Sequence, residues 1–166
     1  EKTSPVGAGL GGGSADAAFA LKMLNELCAL GLTEDQLAGY AARLGSDCAF
    51  FIYNRPMIGE GRGEILTEYQ IDLEEFDLQV LTPEGISVST KDAYGGIRPH
   101  LPEIPLREAL SRPVEEWDGI LVNDFEETVF VKYPELAAIK RSLYDSGAVY
   151  ASMSGSGSAL FALYRK

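Results

Sequence analysis

The sequence has little positive charge and few residues that bind metals. Its 166 residues include 14 lysines and arginines against 25 aspartates and glutamates, a formal net charge of −11. A surface this acidic repels nucleic acid backbones and anionic lipids, so we expect neither nucleic acid nor a membrane as a partner. A single histidine, His100, argues against a metal site built from protein ligands. An anionic ligand would need a local source of positive potential, which main-chain amides and a helix dipole can supply.

Long apolar runs and closely paired cysteines are also missing. No run approaches the roughly 20 residues that a membrane-spanning helix needs. The first residues lack the basic and then apolar stretch of a signal peptide, so we expect none. Cys28 and Cys48 stand in apolar surroundings without CxxC spacing, which predicts two reduced thiols in a core. Reduced thiols are typical of cytoplasmic proteins, and we expect that location here.

Periodicity and turn residues predict helices and strands in irregular succession. Helices are expected over 14–30, 33–44, 89–94, 117–131 and 134–144, and strands over 48–53, 64–69, 76–81, 148–153 and 159–164. Thr33 and Gln36 have the spacing of a capping box at the start of the second helix. Strands mixed with helix pairs favour an α+β fold over a regular βαβ array.

The most informative segment is residues 7–14, here called the first glycine element. Five of its first seven residues are glycine. Glycine loses the most backbone entropy on folding, so such a loop is typical of a place where the main chain must approach something closely. The element leads into a predicted helix, whose first four amides lack intrahelical partners and whose dipole is positive at that end. These properties predict an anion site, most naturally for a di- or triphosphate.

Other interpretations of this element are weaker. Gly7, Gly9 and Gly12 match the G-x-G-x-x-G dinucleotide fingerprint, but the acidic residue required about 20 positions later would fall near Glu26, inside the first helix. No Gly-Lys-Ser/Thr follows, so the element is not a Walker A loop. A tight turn from strand to helix without a ligand is the simplest alternative. Two glycines beyond the needs of a turn argue against it.

A second glycine element, residues 153–158, lies between the last two predicted strands. Its sequence is Met-Ser-Gly-Ser-Gly-Ser. Alone it is an ordinary hairpin loop. Paired with the first glycine element, it becomes a candidate second wall of a phosphate or substrate site.

At these two elements the sequence resembles the GHMP kinases, which include galactokinase and the homoserine, mevalonate and phosphomevalonate kinases. Residues 9–11, Gly-Leu-Gly, followed by Asp-Ala-Ala at 16–18, are similar to the family's ATP-phosphate motif, and the second glycine element is similar to its C-terminal glycine motif. The triple glycine at 11–13 and segments 44–51, 61–64 and 123–126 favour one member. That member phosphorylates the 2-hydroxyl of 4-diphosphocytidyl-2-C-methyl-D-erythritol in non-mevalonate isoprenoid biosynthesis.

The resemblance implies a two-lobed α+β fold of the GHMP kinase type. Residues 1–70 would belong to the N-terminal, ribosomal S5-like lobe that binds the ATP phosphates, and 71–166 to the C-terminal, ferredoxin-like lobe. ATP and Mg²⁺ are the implied cofactors of a monomer or homodimer that acts on a small molecule, with Ser14 as one conceivable metal contact. The implied ATP contacts are Pro5, Gly7, Ala8, Gly9, Leu10, Gly11, Gly12, Gly13 and Ser14. The implied substrate contacts are Tyr94, Ser154, Gly155, Ser156 and Gly157.

Asp47 is the catalytic base that the resemblance implies, because it stands in the family's Leu-Gly-Ala/Ser-Asp segment. A tertiary alcohol is a poor nucleophile, and a carboxylate within hydrogen-bond reach can take its proton as the phosphoryl group transfers. Without the resemblance, an aspartate after a helix stop is a capping or solvated residue. Tyr94 falls where the family places an aromatic ring that stacks on cytosine. Its alternative is a half-buried helix tyrosine.

The first glycine element follows only six residues and no initiator Met, whereas a loop of this kind normally follows a full strand. We therefore expect a fragment without the N-terminal strands, which alone transfers little or no phosphate. Three alternative functions stay open: another GHMP kinase of the homoserine or mevalonate type, a non-catalytic nucleotide-binding module, and a dinucleotide-binding oxidoreductase.

Overall fold

The chain folds into two compact units, each with its own core. The computed structural model describes residues 7–98 and 100–166. Residues 11–71 form one unit, here called the helical unit, and residues 7–10 join 72–166 in the other, here called the sheet unit. Helices and strands are mixed in both, as predicted for an α+β fold. Over the described ranges, no helix has both the length and the apolar character needed to cross a membrane.

The helical unit packs three helices and a short hairpin. Its elements are α1 (Gly12–Leu27), α2 (Glu34–Ala42), α3 (Cys48–Tyr53), β1 (Met57–Glu60) and β2 (Ile65–Glu68). β1 and β2 are antiparallel, with Glu60 opposite Ile65, so the strand predicted over 64–69 is confirmed as one arm of a hairpin. Small side chains dominate the core where the three helices meet: Ala18, Leu37, Ala38, Ala41, Cys48, Ala49 and Ile52.

The predicted capping box at α2 is present. The Thr33 hydroxyl accepts a hydrogen bond from the Gln36 N–H at 3.3 Å, and the Thr33 N–H donates to Gln36 Oε1 at 2.9 Å. Two of the four free amides at this helix start are thereby satisfied.

Two predictions in this unit are wrong. Segment 48–53 is helix α3 and not a strand, because Cys48, Ala49 and Ile52 share one helical face that packs into the core. Periodicity cannot separate helix from strand in so short an apolar run. Cys28 is exposed at the end of α1 and only Cys48 is buried, so the core holds one free thiol of the two.

In the sheet unit, helices cover one face of a three-stranded antiparallel sheet. Its elements are β3 (Phe76–Leu81), α4 (Thr90–Gly96), α5 (Leu106–Leu110), a 3₁₀ turn (Val114–Glu116), α6 (Phe125–Lys132), α7 (Pro134–Asp145), β4 (Tyr150–Met153) and β5 (Leu160–Arg165). The strand order is β3-β5-β4, and Leu160 pairs with Leu81 on one side and with Met153 on the other. The core is made by α4, α6, α7 and the covered sheet face: Val88, Ala93, Val129, Leu136, Leu143, Ala148, Ala151, Met153, Leu160 and Ala162.

The helix predicted over 117–131 starts late. It begins only at Phe125, and the preceding residues form turns that include Gly119 at a φ of +76°. The Asn123 side chain accepts a hydrogen bond from the Phe125 N–H at 3.0 Å, which stabilises this later start. The strands predicted near 76–81, 148–153 and 159–164 are confirmed, as are the helices near 89–94 and 134–144.

Candidate functional site

The first glycine element uses alternate glycines for its backbone conformation. Gly7, Gly9 and Gly11 have φ values of +73°, +76° and +67°. Only glycine adopts this left-handed region readily, because a Cβ would crowd the following carbonyl oxygen. Pro5, a predicted ATP contact, lies outside the described residues.

The amides of this element are open. The cap residue of α1, Gly11, offers no side chain, and the first turn of the helix carries no acidic residue. The first main-chain bond of the helix runs from the Ala15 N–H to the Gly11 carbonyl at 2.9 Å. Across residues 7–98 and 100–166, no oxygen accepts a hydrogen bond from an N–H of residues 7–14. The start of α1 is therefore a patch of positive potential without a partner among the described residues.

Two carbonyls of the first glycine element accept hydrogen bonds, one from Ser154 of the second glycine element and one from Ala159, the residue that follows that element. The Ala159 N–H donates to the Ala8 carbonyl at 2.9 Å, and the Ser154 hydroxyl donates to the Gly9 carbonyl at 2.8 Å. Because a trans peptide is planar with its C=O and N–H on opposite sides, the N–H groups of Gly9 and Leu10 point away from these contacts. A Cβ on Gly9 would lie 2.1 Å from the Ser154 carbonyl oxygen, so no other residue fits there.

The second glycine element is a tight turn between β4 and β5. The Ser154 N–H donates to the Ala159 carbonyl at 2.8 Å, and the Gly157 N–H donates to the Ser154 carbonyl at 3.0 Å. Gly155 and Gly157 have φ values of +54° and +87°. A Cβ on Gly155 would lie 3.2 Å from the Gly9 carbonyl oxygen. The structure thus brings three predicted substrate contacts, Ser154, Gly155 and Gly157, against Gly9 of the predicted ATP contacts.

This turn is stabilised by Asn123, Glu126 and Lys140, for which the sequence predicted no role. Asn123 donates to the Met153 and Gly155 carbonyls, each at 2.8 Å. Glu126 accepts from the Met153 N–H at 2.7 Å and pairs with Lys140 at 2.6 Å. The resemblance of segment 123–126 to the family could have pointed to these residues. Their contact with residue 153 could not be predicted, because the two segments are far apart in the sequence.

Asp47 immediately precedes α3 in the helical unit. Its side chain makes no capping hydrogen bond to the helix and is exposed, which removes the capping alternative. Oδ1 accepts from the Ser46 hydroxyl at 3.3 Å, and a Cβ on Gly63 would lie 3.5 Å from that oxygen. The carboxylate is therefore available to solvent or a ligand beside the β1–β2 turn.

The surroundings of Asp47 link it to the start of α1 within the same unit. Phe51, one turn along α3, approaches Gly11 so closely that a Cβ there would lie 2.6 Å from the ring. In the β1–β2 turn, hydrogen bonds from the main-chain N–H groups of Glu64 and Arg62 hold the pKa of the Glu64 carboxyl below its ordinary value. Glu64 therefore stays charged near neutral pH and its oxygens are already engaged.

Tyr94 lies on α4 in the sheet unit with 64% of its surface exposed, so it is not the half-buried residue of the alternative interpretation. Its ring meets Phe125 edge-on, with the ring centroids 4.9 Å apart. The helix is capped by Ser89, whose hydroxyl accepts from the Asp92 N–H. A hydrogen bond from Lys132 holds the pKa of Asp92 below its ordinary value. The ring of Tyr94 is thus exposed to a ligand, and on the same helix the charge of Asp92 is compensated by Lys132.

The sheet unit contains an apolar cavity. It has a volume of about 710 Å³ and lies against the sheet face opposite the core, where Leu78, Val80, Phe161 and Leu163 line it. Asn123 and Ser154 supply polar groups among its lining residues. Its lining contains no charged side chain, although Leu10 and Ser154 of the two glycine elements border it.

The described residues contain no metal site built from several protein ligands. Over the described part of the chain, no group of three or more His, Cys, Asp or Glu side chains could hold a metal ion. A magnesium ion that is bound chiefly by nucleotide phosphates and water needs only one or two protein ligands. The residues present fit that kind of site, with the half-buried Ser14 in the first turn of α1 as the predicted contact.

Comparison with known proteins gives close relatives over nearly the whole chain. A 4-diphosphocytidyl-2-C-methyl-D-erythritol kinase of Bacteroides thetaiotaomicron is 53% identical over 163 residues, covering 98% of this chain and 59% of the relative. The kinase of the same name from Citrifermentans bemidjiense is 40% identical over 169 residues, covering 98% of this chain and 58% of the relative. The chain thus spans about 59% of the length of such relatives.

Solved structures share the fold. A crystal structure of 4-(cytidine 5'-diphospho)-2C-methyl-D-erythritol kinase matches with a TM-score of 0.80 at 33% identity, covering 98% of this chain and 59% of that one. A homoserine kinase from Cytophaga hutchinsonii matches with a TM-score of 0.77 at 20% identity, covering 99% of this chain and 59% of that one. The second likeness concerns the fold alone.

Family models match at both ends of the sequence. The model described as GHMP kinases N terminal domain matches residues 1–55, and the model described as GHMP kinases C terminal matches residues 106–166. Together they account for more than half of the chain. The two matches, the relatives and the shared fold agree, and the chain belongs to the GHMP kinase family.

Proposed function

We propose that this chain carries the phosphate-binding loop and catalytic base of an ATP-dependent kinase that phosphorylates the 2-hydroxyl of 4-diphosphocytidyl-2-C-methyl-D-erythritol. The observation that carries the proposal is the open start of α1, where a glycine cap and an acid-free first turn leave the amides of residues 7–14 without described partners. In a molecule with a net charge of −11, this is a rare place where a polyphosphate is favoured.

Phosphate binding is assigned to the first glycine element. The N–H groups of Gly9 and Leu10 are oriented because the carbonyls of the same peptide units, those of Ala8 and Gly9, accept hydrogen bonds. The N–H groups of residues 12–14 belong to the first turn of α1, where no described group accepts from them. Such preorganised donors stabilise the charge that develops on phosphoryl oxygens without reorganising during the reaction. When bound, Mg²⁺ would neutralise phosphate charge, and Ser14 is the residue of this chain proposed to contact it.

Asp47 is proposed as the general base. Its carboxylate takes the proton of the substrate hydroxyl, the hydroxyl oxygen forms a bond to the γ-phosphorus of ATP, and the bond between that phosphorus and the β–γ bridging oxygen breaks. The products are the phosphate ester and ADP. The exposed carboxylate, free of any capping bond to α3, supports this role.

Substrate binding is assigned to the sheet unit. The exposed ring of Tyr94 offers a face on which cytosine can stack. The N–H groups of Gly155 and Ser156 have no acceptor among the described residues and are donors for an anionic group. The names of the relatives support this choice of acceptor. Cytoplasmic location and a monomeric or homodimeric state stay predictions from the sequence.

The test is turnover by the intact enzyme that carries this sequence, with Asp47→Asn compared with Asp145→Asn, an exposed aspartate at the end of α7. We expect Asp47→Asn to lower kcat by about 10²- to 10⁴-fold. ATP affinity should stay within about threefold, because the carboxylate does not hold the nucleotide, and Asp145→Asn should match wild type. Unchanged kcat in Asp47→Asn would refute the assignment of the base.

Acceptor identity is tested by measuring ADP release with three alcohols: 4-diphosphocytidyl-2-C-methyl-D-erythritol, homoserine and mevalonate. We expect release with the first compound alone. Release with homoserine or mevalonate would assign the enzyme to another member of the family. ATP binding without release for any acceptor would instead indicate a non-catalytic nucleotide-binding module.

A further inference from the structure

The segment 123–126, Asn-Asp-Phe-Glu, has no part in the mechanism above, yet it makes the densest set of side-chain contacts to the second glycine element. Both amide hydrogens of Asn123 are used, one on the Met153 carbonyl and one on the Gly155 carbonyl, each at 2.8 Å. Its amide oxygen accepts from the Phe125 N–H at 3.0 Å. One side chain therefore fixes two carbonyls of the turn and the start of α6 at once.

Glu126 fixes the same turn through an amide. Oε1 accepts from the Met153 N–H at 2.7 Å and from the Ser152 hydroxyl at 3.2 Å. Oε2 pairs with Lys140 on α7 at 2.6 Å, and the two side chains are only 13% and 21% exposed. With its charge compensated and both oxygens engaged, Glu126 is placed to hold the main chain and not to exchange a proton with a ligand.

The hydrogen bond from Asn123 to the Gly155 carbonyl determines the direction of the Ser156 N–H. Because Asn123 holds the Gly155 carbonyl, the N–H of the same peptide unit, that of Ser156, is directed to the opposite side. Within the described ranges, no oxygen accepts a hydrogen bond from the Ser156 N–H. On its other side the turn is fixed by the Ser154 hydroxyl, which donates to the Gly9 carbonyl. The free amide therefore stands on a turn that is fixed from two sides.

We propose that Asn123 and Glu126 are positioning residues that hold the second glycine element so that the Ser156 amide binds an anionic group of the phosphoryl acceptor. The identity of the acceptor rests on the proposed function. The positioning itself rests on the contacts alone.

The experiment uses the intact enzyme with Asn123→Ser, which keeps an oxygen able to accept from the Phe125 N–H but loses the two donations to the turn. Amide hydrogen exchange is measured over 153–159 without ligands, and KM is measured for 4-diphosphocytidyl-2-C-methyl-D-erythritol and for ATP. We expect exchange at least tenfold faster, a KM for the acceptor at least tenfold higher, and a KM for ATP and a kcat within threefold of wild type.

The matched control is Asn25→Ala. Asn25 also bridges main-chain groups, donating to the Leu32 carbonyl at 3.1 Å and accepting from its N–H at 2.9 Å, but it lies in the helical unit. We expect this variant to lower thermal stability without changing exchange over 153–159 or either KM. A second variant, Glu126→Met with Lys140→Met, removes the acceptor of the Met153 N–H without leaving one charge unpaired and should raise exchange over 153–159 as well.

Unchanged exchange over 153–159 in Asn123→Ser would overturn the proposal, whatever the activity. An equal rise of the acceptor KM in Asn25→Ala would also overturn it, because general destabilisation would then explain the effect. Absence of turnover in the wild type would contradict the proposed function, whereas the exchange measurement would still decide whether Asn123 holds the turn.

Discussion

The first two helices of the helical unit begin in opposite ways. α2 starts at Thr33 with a capping box, and its first turn contains Glu34 and Asp35. α1 starts at Gly11 with no side-chain cap and no acidic residue in its first turn. α2 therefore satisfies two of its four free amides and balances its dipole from within the chain, whereas α1 does neither.

The difference shows what an open helix start costs and what it provides. A capping side chain is worth about 1 kcal/mol and an acidic residue in the first turn adds about 0.3–1 kcal/mol. α1 forgoes both and also accepts the entropy cost of glycine at positions 11–13. α2 shows that the same unit builds a capped helix start further along the chain. The open start of α1 makes physical sense if an anion completes it.

The largest expected effect comes from Gly9, the glycine of the first glycine element that lies against the second glycine element. Gly9→Ala places a Cβ 2.1 Å from the Ser154 carbonyl oxygen at a φ of +76°. We expect the free energy of unfolding to fall by about 2–5 kcal/mol, because a left-handed conformation and an overpacked contact add. Chemical denaturation of the intact enzyme measures it.

The control for that variant is Gly7→Ala. Gly7 has nearly the same φ, +73°, but no described atom lies within 4 Å of the added Cβ. This variant should lose only about 1–2 kcal/mol, the cost of the conformation alone. Equal losses in the two variants would mean that the close approach of Gly9 to Ser154 does not constrain the loop.

The next effect makes α1 resemble α2. Gly13→Asp adds an acid to the first turn of α1 at a position where a Cβ meets no described atom. We expect at least a tenfold weaker affinity for ATP, about 1.4 kcal/mol, because the carboxylate competes for the amides and repels phosphate. Calorimetric titration with a non-hydrolysable ATP analogue measures it. Gly13→Asn has nearly the same shape without the charge, and an equal loss of affinity there would show that the potential is not the cause.

The smallest effect makes α2 resemble α1. Thr33→Ala removes the hydroxyl that accepts from the Gln36 N–H and should lower the free energy of unfolding by about 1 kcal/mol. Affinity for ATP should not change, because the α2 start is assigned no ligand. A change in nucleotide affinity here would weaken the contrast between the two helices.

Local chemistry accounts for what the sequence predicted well. The Thr33 capping box depends on neighbours within a few residues, so its spacing is enough to find it. The α+β class also followed from the order of the elements. The family resemblance was carried by short motifs, and both family models match the chain.

Tertiary contacts account for the misses. Segment 48–53 is equally apolar as a strand or a helix, and only packing against α1 and α2 decides for α3. Cys28 is exposed at the end of α1, and this exposure could not be predicted from its apolar neighbours in the sequence. Asn123 reaches a turn 30 residues away through hydrogen bonds to main-chain carbonyls, which leave no pattern in the sequence.

Amide chemical shifts during titration with a non-hydrolysable ATP analogue give the most direct test of the central claim. In the ¹⁵N-labelled intact enzyme, we predict that the largest shifts fall on the amides of residues 7–14. The amides of the first turn of α2, capped by Thr33, should stay within experimental error. Saturable binding with no shift across residues 7–14 would contradict the claim that the open start of α1 holds the phosphates.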